Sequence, residues 1–177
     1  MSNTTTLLRA GTRESAVAPP GTLLQKTRKD STWRADGESM DRILVVEDDE
    51  QVRVLVESML RDAGYEVLAA TAQEGAQALL NSDQSIDLLF VDVHLGGDLE
   101  AGLRIAQSAR ERRPLLPVVY TTGQGVDDGK KALFGDPYLF LPKPYTSEQL
   151  ISSMAYLLNR NGGSPPLPDL PSLAQSI

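Results

Sequence analysis

The 177-residue chain contains no cysteine and a single histidine, His94. Without cysteine it can form no disulfide, no thiol nucleophile and no cysteine-ligated metal site. One histidine also excludes a multi-histidine metal centre built by this chain alone. No apolar run approaches the roughly 18 residues that a membrane-spanning helix requires, and residues 1–6 lack the basic and apolar regions of a secretory signal. These absences predict a soluble, cytoplasmic protein.

The charge balance is acidic, with 24 Asp and Glu against 17 Lys and Arg, a formal net charge of -7. Six basic and five acidic residues nearly cancel in segment 1–41, and segment 161–177 has one charge, Asp169. Residues 42–160 therefore carry 11 basic and 18 acidic residues, which is the whole excess. Such a chain attracts nucleic acids and anionic membranes poorly, so we predict neither as a partner.

Composition divides the chain into three parts. Residues 1–41 are rich in Thr, Ser, Gly, Pro and Arg and keep no hydrophobic period, so we expect a largely disordered extension, with Trp33 as a contact for a partner or for packing. Residues 161–177 open on Asn-Gly-Gly-Ser and contain four prolines, which predicts a linker or extended tail. Residues 42–160 remain as the single folded domain.

Strands and helices alternate through this domain. The run Ile-Leu-Val-Val at 43–46 is typical of a strand buried on both faces. Gly64 is a helix-ending residue, and the segment 71–74, Thr-Ala-Gln-Glu, fits a capping box. The pattern predicts a five-stranded, doubly wound parallel α/β sheet. The predicted strands are 43–46, 65–70, 86–93, 117–121 and 138–141, and the predicted helices are 52–60, 72–80, 103–111, 127–134 and 146–159.

Polar residues follow several of these strands at their carboxyl ends, where open α/β sheets bind ligands. Glu47 and Asp48 follow the first strand, and Asp92 ends the third. Thr122 follows the fourth strand, and Lys143 follows the fifth. Clustered carboxylates repel one another unless a cation joins them, and Mg²⁺ accepts such oxygen ligands. A carboxylate beside Mg²⁺ can attack a phosphoryl group, while a lysine and a hydroxyl stabilise the transferred oxygens.

Four sequence pieces now resemble the receiver domain of bacterial two-component response regulators. They are ILVVEDDE at 43–50, VDV at 91–93, PVVYTTG at 117–123 and LPKPY at 141–145. The step from Asp48 to Asp92 is 44 residues, the step from Asp92 to Thr122 is 30, and the step from Thr122 to Lys143 is 21. The resemblance covers residues 41–160 and implies the flavodoxin-like receiver fold, in a stand-alone, single-domain protein.

The resemblance also implies a role for each site residue. Asp92 is the phosphoacceptor, and Asp48 binds Mg²⁺ directly while Glu47 holds it through water. Asp92 and the backbone carbonyl of His94 complete the ligands from the chain. Thr122 and Lys143 contact the phosphoryl group, and the switch residues are Thr122 and Phe140.

The sequence departs from the family at two points. His94 stands where Met or Asn is common, and with Gln124 it occupies the positions that influence dephosphorylation. Leu95, Gly96 and Gly97 replace the usual proline after the acceptor, which predicts a more flexible loop.

Simpler interpretations exist for individual residues. Residues 47–50 also fit a solvated helix start. Thr121 and Thr122 both fit an ordinary strand. Lys143 fits a loop, Phe140 fits a core position, and His94 fits a loop side chain better than a ring ligand.

The predicted function is that of a phosphoacceptor signalling protein rather than an enzyme, although a receiver contributes to its own phosphorylation and dephosphorylation. Its expected partners are a sensor histidine kinase or histidine phosphotransfer protein, a downstream protein target, and a second copy of the chain in a homodimer. One alternative is a receiver-like interaction module that is not phosphorylated. Another is an aspartyl phosphatase, which would need an acid where His94 stands. A flavodoxin-like cofactor site would need a phosphate-binding loop after the first strand, which is missing.

Overall fold

The computed structural model describes residues 40–123 and 134–159. Most of the extension with Trp33, the tail, Gln124 and all but the last residue of the predicted helix over 127–134 lie outside the described residues. Phe134, the last residue of that prediction, has no helical structure. None of the described helices has the length and apolar character needed to cross a bilayer.

Five parallel strands form one sheet in the order β2-β1-β3-β4-β5. Mostly apolar segments supply them, because strands covered on both faces bury most of their side chains. Polar residues stand at strand ends: Arg42 opens β1, Glu66 opens the edge strand β2, and Asp92 ends β3. The strands are β1 (Arg42–Val46), β2 (Glu66–Ala70), β3 (Leu88–Asp92), β4 (Val118–Thr122) and β5 (Tyr138–Pro142).

Four described helices cover the two faces of the sheet. Side chains of β1 alternate between them, with Leu44 and Val46 in one apolar cluster and Ile43 and Val45 in the other. The first cluster is closed by α2 (Gln73–Asn81) and α3 (Ala101–Arg112). The second is closed by α1 (Glu50–Asp62) and the last helix, which we label α4 (Ser147–Leu158). The predicted doubly wound parallel sheet is confirmed.

Several local predictions need correction. The capping box over residues 71–74 is wrong, because Ala72 is the N-cap of α2 and no side chain caps that end. A capping box forms instead at α4, where Thr146 and Gln149 bond each other's backbone N–H groups. The third strand is shorter than predicted, and the fourth is shifted by one residue, so that Thr122 belongs to β4. Gly64 follows the C-cap of α1 with φ 85°, as the helix-ending prediction requires.

Candidate functional site

The carboxyl edge of the sheet brings the predicted site residues together. β3 lies between β1 and β4, with Val46 paired to Val91 and Asp92 paired to Thr121. The last residues of all three strands therefore end at one level. Glu47 continues from β1 and is 1% exposed, which is rare for a glutamate unless its charge is compensated.

Lys143 supplies that compensation. Its Nζ donates to Glu47 Oε2 at 2.7 Å and to Asp92 Oδ2 at 2.6 Å, so one ammonium bridges two buried carboxylates. Its backbone N–H donates to the Thr122 carbonyl at 2.9 Å, which fixes the start of the loop after β5 against the end of β4. Lys143 thus lies in a loop, as the simpler interpretation has it, but its ammonium is bound by two carboxylates.

Burial and charge act in opposite directions on these groups. Burial raises the pKa of Glu47, although the hydrogen bond and charge of Lys143 reduce that rise. For Lys143, burial lowers the pKa, but the bonds to Asp92 and Glu47 outweigh burial and leave it raised. The ammonium therefore stays charged at neutral pH and partly neutralises the carboxylates.

Asp48 completes an acidic cluster on the exposed side of this pair. Ligand oxygens of Glu47, Asp48 and Asp92 all lie within 4.8 Å of one another. Asp48 Oδ2 accepts a hydrogen bond from the Gly96 N–H at 2.9 Å, which ties it to the loop after β3. Hard oxygen donors at this spacing, one of them open to solvent, fit a Mg²⁺ ion that keeps several waters.

His94 lies between Asp92 and Thr122. Its backbone N–H donates to Asp92 Oδ1 at 2.9 Å, and its ring Nδ1 is 3.1 Å from Thr122 Oγ1. His94 lies in the loop after β3, as the simpler interpretation predicts, and its ring contacts the Thr122 hydroxyl. The role of its backbone carbonyl as a metal ligand stays a prediction.

Phe140 is buried on the α2–α3 side of the sheet, where it stacks on Phe134 with ring centroids 6.4 Å apart. Phe134 in turn stacks on Tyr120 at 4.4 Å. The core interpretation of Phe140 is confirmed by this packing, and its switch role stays a prediction.

Sequence reasoning assigned Asp49 no role of its own and missed the pair Thr121 and Tyr145. The Asp49 side chain accepts from the N–H groups of Gln51 and Val52, so the helix-start interpretation holds for this residue but not for Glu47, which lies outside α1. The hydroxyl oxygens of Thr121 and Tyr145 are buried close to each other without a well-formed hydrogen bond among the described residues. Burial raises the pKa of Tyr145 to about 12. An acidic residue directly before a helix is a signal that could have revealed the capping role of Asp49. Only the fold shows that Thr121 and Tyr145 lie close together.

Gly102 was also missed. A Cβ at this position would lie 2.0 Å from the Asp92 carbonyl oxygen, so α3 packs directly on the backbone of β3. A glycine directly before the predicted helix over 103–111 is the signal that could have found it.

Comparison with known proteins gives the family. The response regulator receiver domain profile matches residues 43–155, which is most of the described chain. The chain belongs to the response regulator receiver domain family. It is therefore a receiver of the two-component type, a class of signalling protein.

Relatives of this receiver are longer proteins. It is 30% identical over 110 residues to the nitrogen assimilation regulatory protein NtrX of Azorhizobium caulinodans, a match that covers 62% of the chain and 24% of NtrX. A putative NtrX-like response regulator of Rickettsia felis is 28% identical over 110 residues, covering 62% of the chain and 23% of the relative. The match thus spans about a quarter of these curated relatives.

Solved structures agree on the receiver fold. A response regulator receiver protein from Sinorhizobium medicae superposes with a TM-score of 0.64 at 31% identity, covering 68% of this chain and 96% of that one. The receiver domain of NtrX from Brucella abortus gives 0.60 at 32% identity, covering 67% and 98%.

Proposed function

We propose that Asp92 accepts a phosphoryl group from a phosphohistidine and that the modified receiver signals through protein contacts. The observation that carries this proposal is the bridge made by Lys143 between Asp92 and Glu47, inside a cluster of three carboxylates. A buried carboxylate held by one lysine at the end of a strand, beside an exposed acidic neighbour, is costly for a purely structural purpose.

Glu47, Asp48 and Asp92 would hold Mg²⁺, together with the His94 carbonyl. When bound, the ion supplies positive charge to the transferring oxygens. Asp92 supplies the nucleophilic oxygen, and its Oδ1 is oriented by the His94 N–H. Lys143 Nζ, already 2.6 Å from Asp92 Oδ2, is placed to pair with a phosphoryl oxygen. The bond to the histidine nitrogen breaks as the Asp92–phosphorus bond forms.

Thr122 already has a side-chain partner. Its Oγ1 lies 3.1 Å from Nδ1 of the His94 ring, and the ring tautomer decides which of the two atoms donates. If the hydroxyl donates to the ring, it must leave that ring before it can donate to a phosphoryl oxygen. Phosphorylation would then favour the state in which Thr122 has moved, which is a population shift toward the form that the modified acceptor binds better. His94 thereby sets part of the cost of switching.

The phosphoryl donor is proposed to be a sensor histidine kinase or a histidine phosphotransfer protein. A downstream protein target would read the modified receiver, and the homodimer stays a prediction. These partners are proposed from the family, and the NtrX relatives extend well beyond the receiver.

Acetyl phosphate with Mg²⁺ tests the proposal directly. After incubation, the acyl phosphate is reduced with borohydride and the modified residue is located by mass spectrometry. We expect modification at Asp92, and none at this site in Asp92→Asn, which keeps the shape but loses the nucleophile. Asp98→Asn is the matched control, because Asp98 is exposed, lies six residues further on and pairs with Arg104.

Three results would count against the proposal. Modification of another carboxylate would show that Asp92 is not the acceptor. A folded parent that takes no phosphoryl group under these conditions would favour the non-phosphorylated interaction module. Repeated turnover of a simple phosphate ester would favour the aspartyl phosphatase.

A further inference from the structure

A groove lies at the opposite edge of the sheet from Asp92. It has a volume of about 420 Å³ and is formed where the chain enters β3 and β4, with walls that include Ile86, Pro114, Leu115 and Pro117. Because each strand has five residues, about 16 Å of sheet separates this groove from the acidic cluster. It is therefore independent of the proposed phosphorylation.

Two side chains of the groove are unusual for a surface that contacts only solvent. Leu115 is 83% exposed, the most exposed large apolar residue among those described. Arg113 has a buried Nη1 with no hydrogen-bond partner in the described part of the chain, whereas its Nη2 donates to the Gln84 carbonyl at 2.9 Å. Buried donors without partners are rare in native proteins and call for an acceptor. The groove thus offers an apolar contact next to a cationic donor.

The chain that precedes β1 begins at the rim of this groove. Arg42 donates its backbone N–H to Asp87 Oδ2 at 2.9 Å and accepts from the Asp87 N–H at 2.8 Å. Its Nη1 donates to the Ser85 carbonyl at 3.3 Å. Ser85 and Asp87 both line the groove, so residues 1–39 are attached to its edge.

This preceding segment has the matching chemistry. Trp33, the only tryptophan of the chain, is nine residues before Arg42, a span of at most about 30 Å. Asp36 and Glu38 lie between them and can offer carboxylates to Arg113. The segment 28–39 is balanced in charge overall, with three basic and three acidic residues, so this contact depends on the local position of the two acids. A tether this short gives an effective concentration in the millimolar range, so a weak contact is sufficient.

We propose that this groove is the docking site of residues 28–39 of the same chain, with the Trp33 indole against Leu115 and a carboxylate of the segment on Arg113. Burial of one indole supplies most of the apolar contact, as large aromatic anchors do at interfaces. The N-terminal extension is thereby held at the amino edge of the sheet, away from Asp92.

Fluorescence of the full chain tests this docking, because all indole emission comes from Trp33. In the parent we expect emission shifted to the blue and protected from acrylamide, relative to the chain unfolded in urea. Leu115→Glu should remove both effects, and at 83% exposure its charge should not disturb the core. Leu55→Glu is the matched control, because Leu55 is 56% exposed on α1 and should leave Trp33 protected.

A spin label gives an independent readout. The chain has no cysteine, so Ser31→Cys accepts a single label. In NMR spectra, the amide signals of Ile86 and Leu116, which both line the groove, should be broadened in the labelled chain that keeps Leu115, and Leu115→Glu should restore them.

Four outcomes would overturn the proposal. Trp33 could be as accessible in the folded parent as in urea, or protected equally in Leu115→Glu. Protection that disappears on dilution, or broadening seen only between labelled and unlabelled molecules, would show that a second copy fills the groove. Protection of the groove that depends on residues 160–177 would identify the tail as its occupant.

Discussion

Asp48 and Asp49 are adjacent carboxylates with different tasks. Asp48 belongs to the acidic cluster, whereas Asp49 Oδ1 accepts from the N–H groups of Gln51 at 2.8 Å and Val52 at 3.1 Å and caps α1. Asp48→Ala should weaken Mg²⁺ binding at least tenfold, about 1.4 kcal/mol, because a ligand and its charge are lost. Asp49→Ala should keep the affinity but lower the free energy of unfolding by about 1 kcal/mol. Calorimetric titration and urea unfolding measure the two quantities.

The two variants together separate metal ligation from general loss of negative charge, since each removes one carboxylate. Equal weakening of Mg²⁺ binding in both would contradict the assignment of Asp48 and indicate a diffuse electrostatic effect.

Tyr145 gives a pH dependence at the site. Burial raises its pKa from the ordinary value of 10.0 to about 12, so the folded phenol stays protonated where the unfolded one ionises. The free energy of unfolding should be unaffected by this group below pH 10 and should fall as the pH rises toward 12, by about 2–3 kcal/mol in total. Urea unfolding at a series of pH values measures the slope. Tyr145→Phe should reduce this slope, and the remainder is expected from Tyr120, whose pKa is also raised by burial.

An unchanged slope in Tyr145→Phe would assign the whole pH dependence to other groups of the protein. Spectrophotometric titration of tyrosinate in the folded parent and in Tyr145→Phe gives a direct check, because the variant should lose one of the phenols that ionise after ordinary tyrosines.

Residue identities at the site could be predicted from the sequence, but their pairing could not. Strand ends placed Glu47, Asp92 and Lys143 at one edge, because parallel strands end together. Which carboxylate the lysine contacts depends on the register of β1, β3 and β5, and the sequence pattern carries no information on that distance. The contact between Thr122 and the His94 ring depends in the same way on the loop conformation after β3.

At the scale of elements, α3 and β3 meet at Gly102. Its N–H donates to the Val93 carbonyl at 3.1 Å, and a Cβ there would lie 2.0 Å from the Asp92 carbonyl oxygen. Gly102→Ala must therefore displace the acceptor strand or α3, at a cost of about 1–3 kcal/mol, and should slow phosphorylation by acetyl phosphate. Phosphorylation rate and urea unfolding are measured side by side.

Gly75 on α2 is the matched control. A Cβ there would lie 3.5 Å from the Ala70 Cβ, an ordinary contact, so Gly75→Ala should raise stability by about 0.5–1 kcal/mol and leave the phosphorylation rate unchanged. A Gly102→Ala protein with full stability and normal phosphorylation would show that α3 does not constrain Asp92.

The elements themselves were largely predictable, because continuous apolar runs and helical periods differ clearly here. The errors lie at the ends of elements, where a single hydrogen bond decides which residue begins or ends a helix or strand. At α2 the segment 71–74 has the composition of a capping box, yet the chain leaves β2 with Ala72 as the N-cap. At β4 the extension to Thr122 follows from its pairing with Pro142 on β5, a long-range contact.

For the whole molecule, the core and the site impose opposite requirements. Two apolar clusters cover both faces of the sheet, while the carboxyl edge concentrates negative charge around one lysine. The excess of acidic residues in segment 42–160 adds to this repulsion. The carboxyl edge proposed to hold the ion therefore lowers stability, and the core beneath it supplies the stability that the fold needs.

Mg²⁺ should consequently stabilise the whole domain. An ion that binds the folded state alone adds about 1.4 kcal/mol to the free energy of unfolding at ten times its dissociation constant. Urea unfolding should show a higher midpoint with an unchanged slope, since the unfolded chain exposes the same surface. NaCl at equal ionic strength should do less, because screening relieves repulsion only partly. Asp48→Ala should lose the Mg²⁺ increment and Asp49→Ala should keep it; an equal increment in both variants would place the stabilising ion outside the acidic cluster.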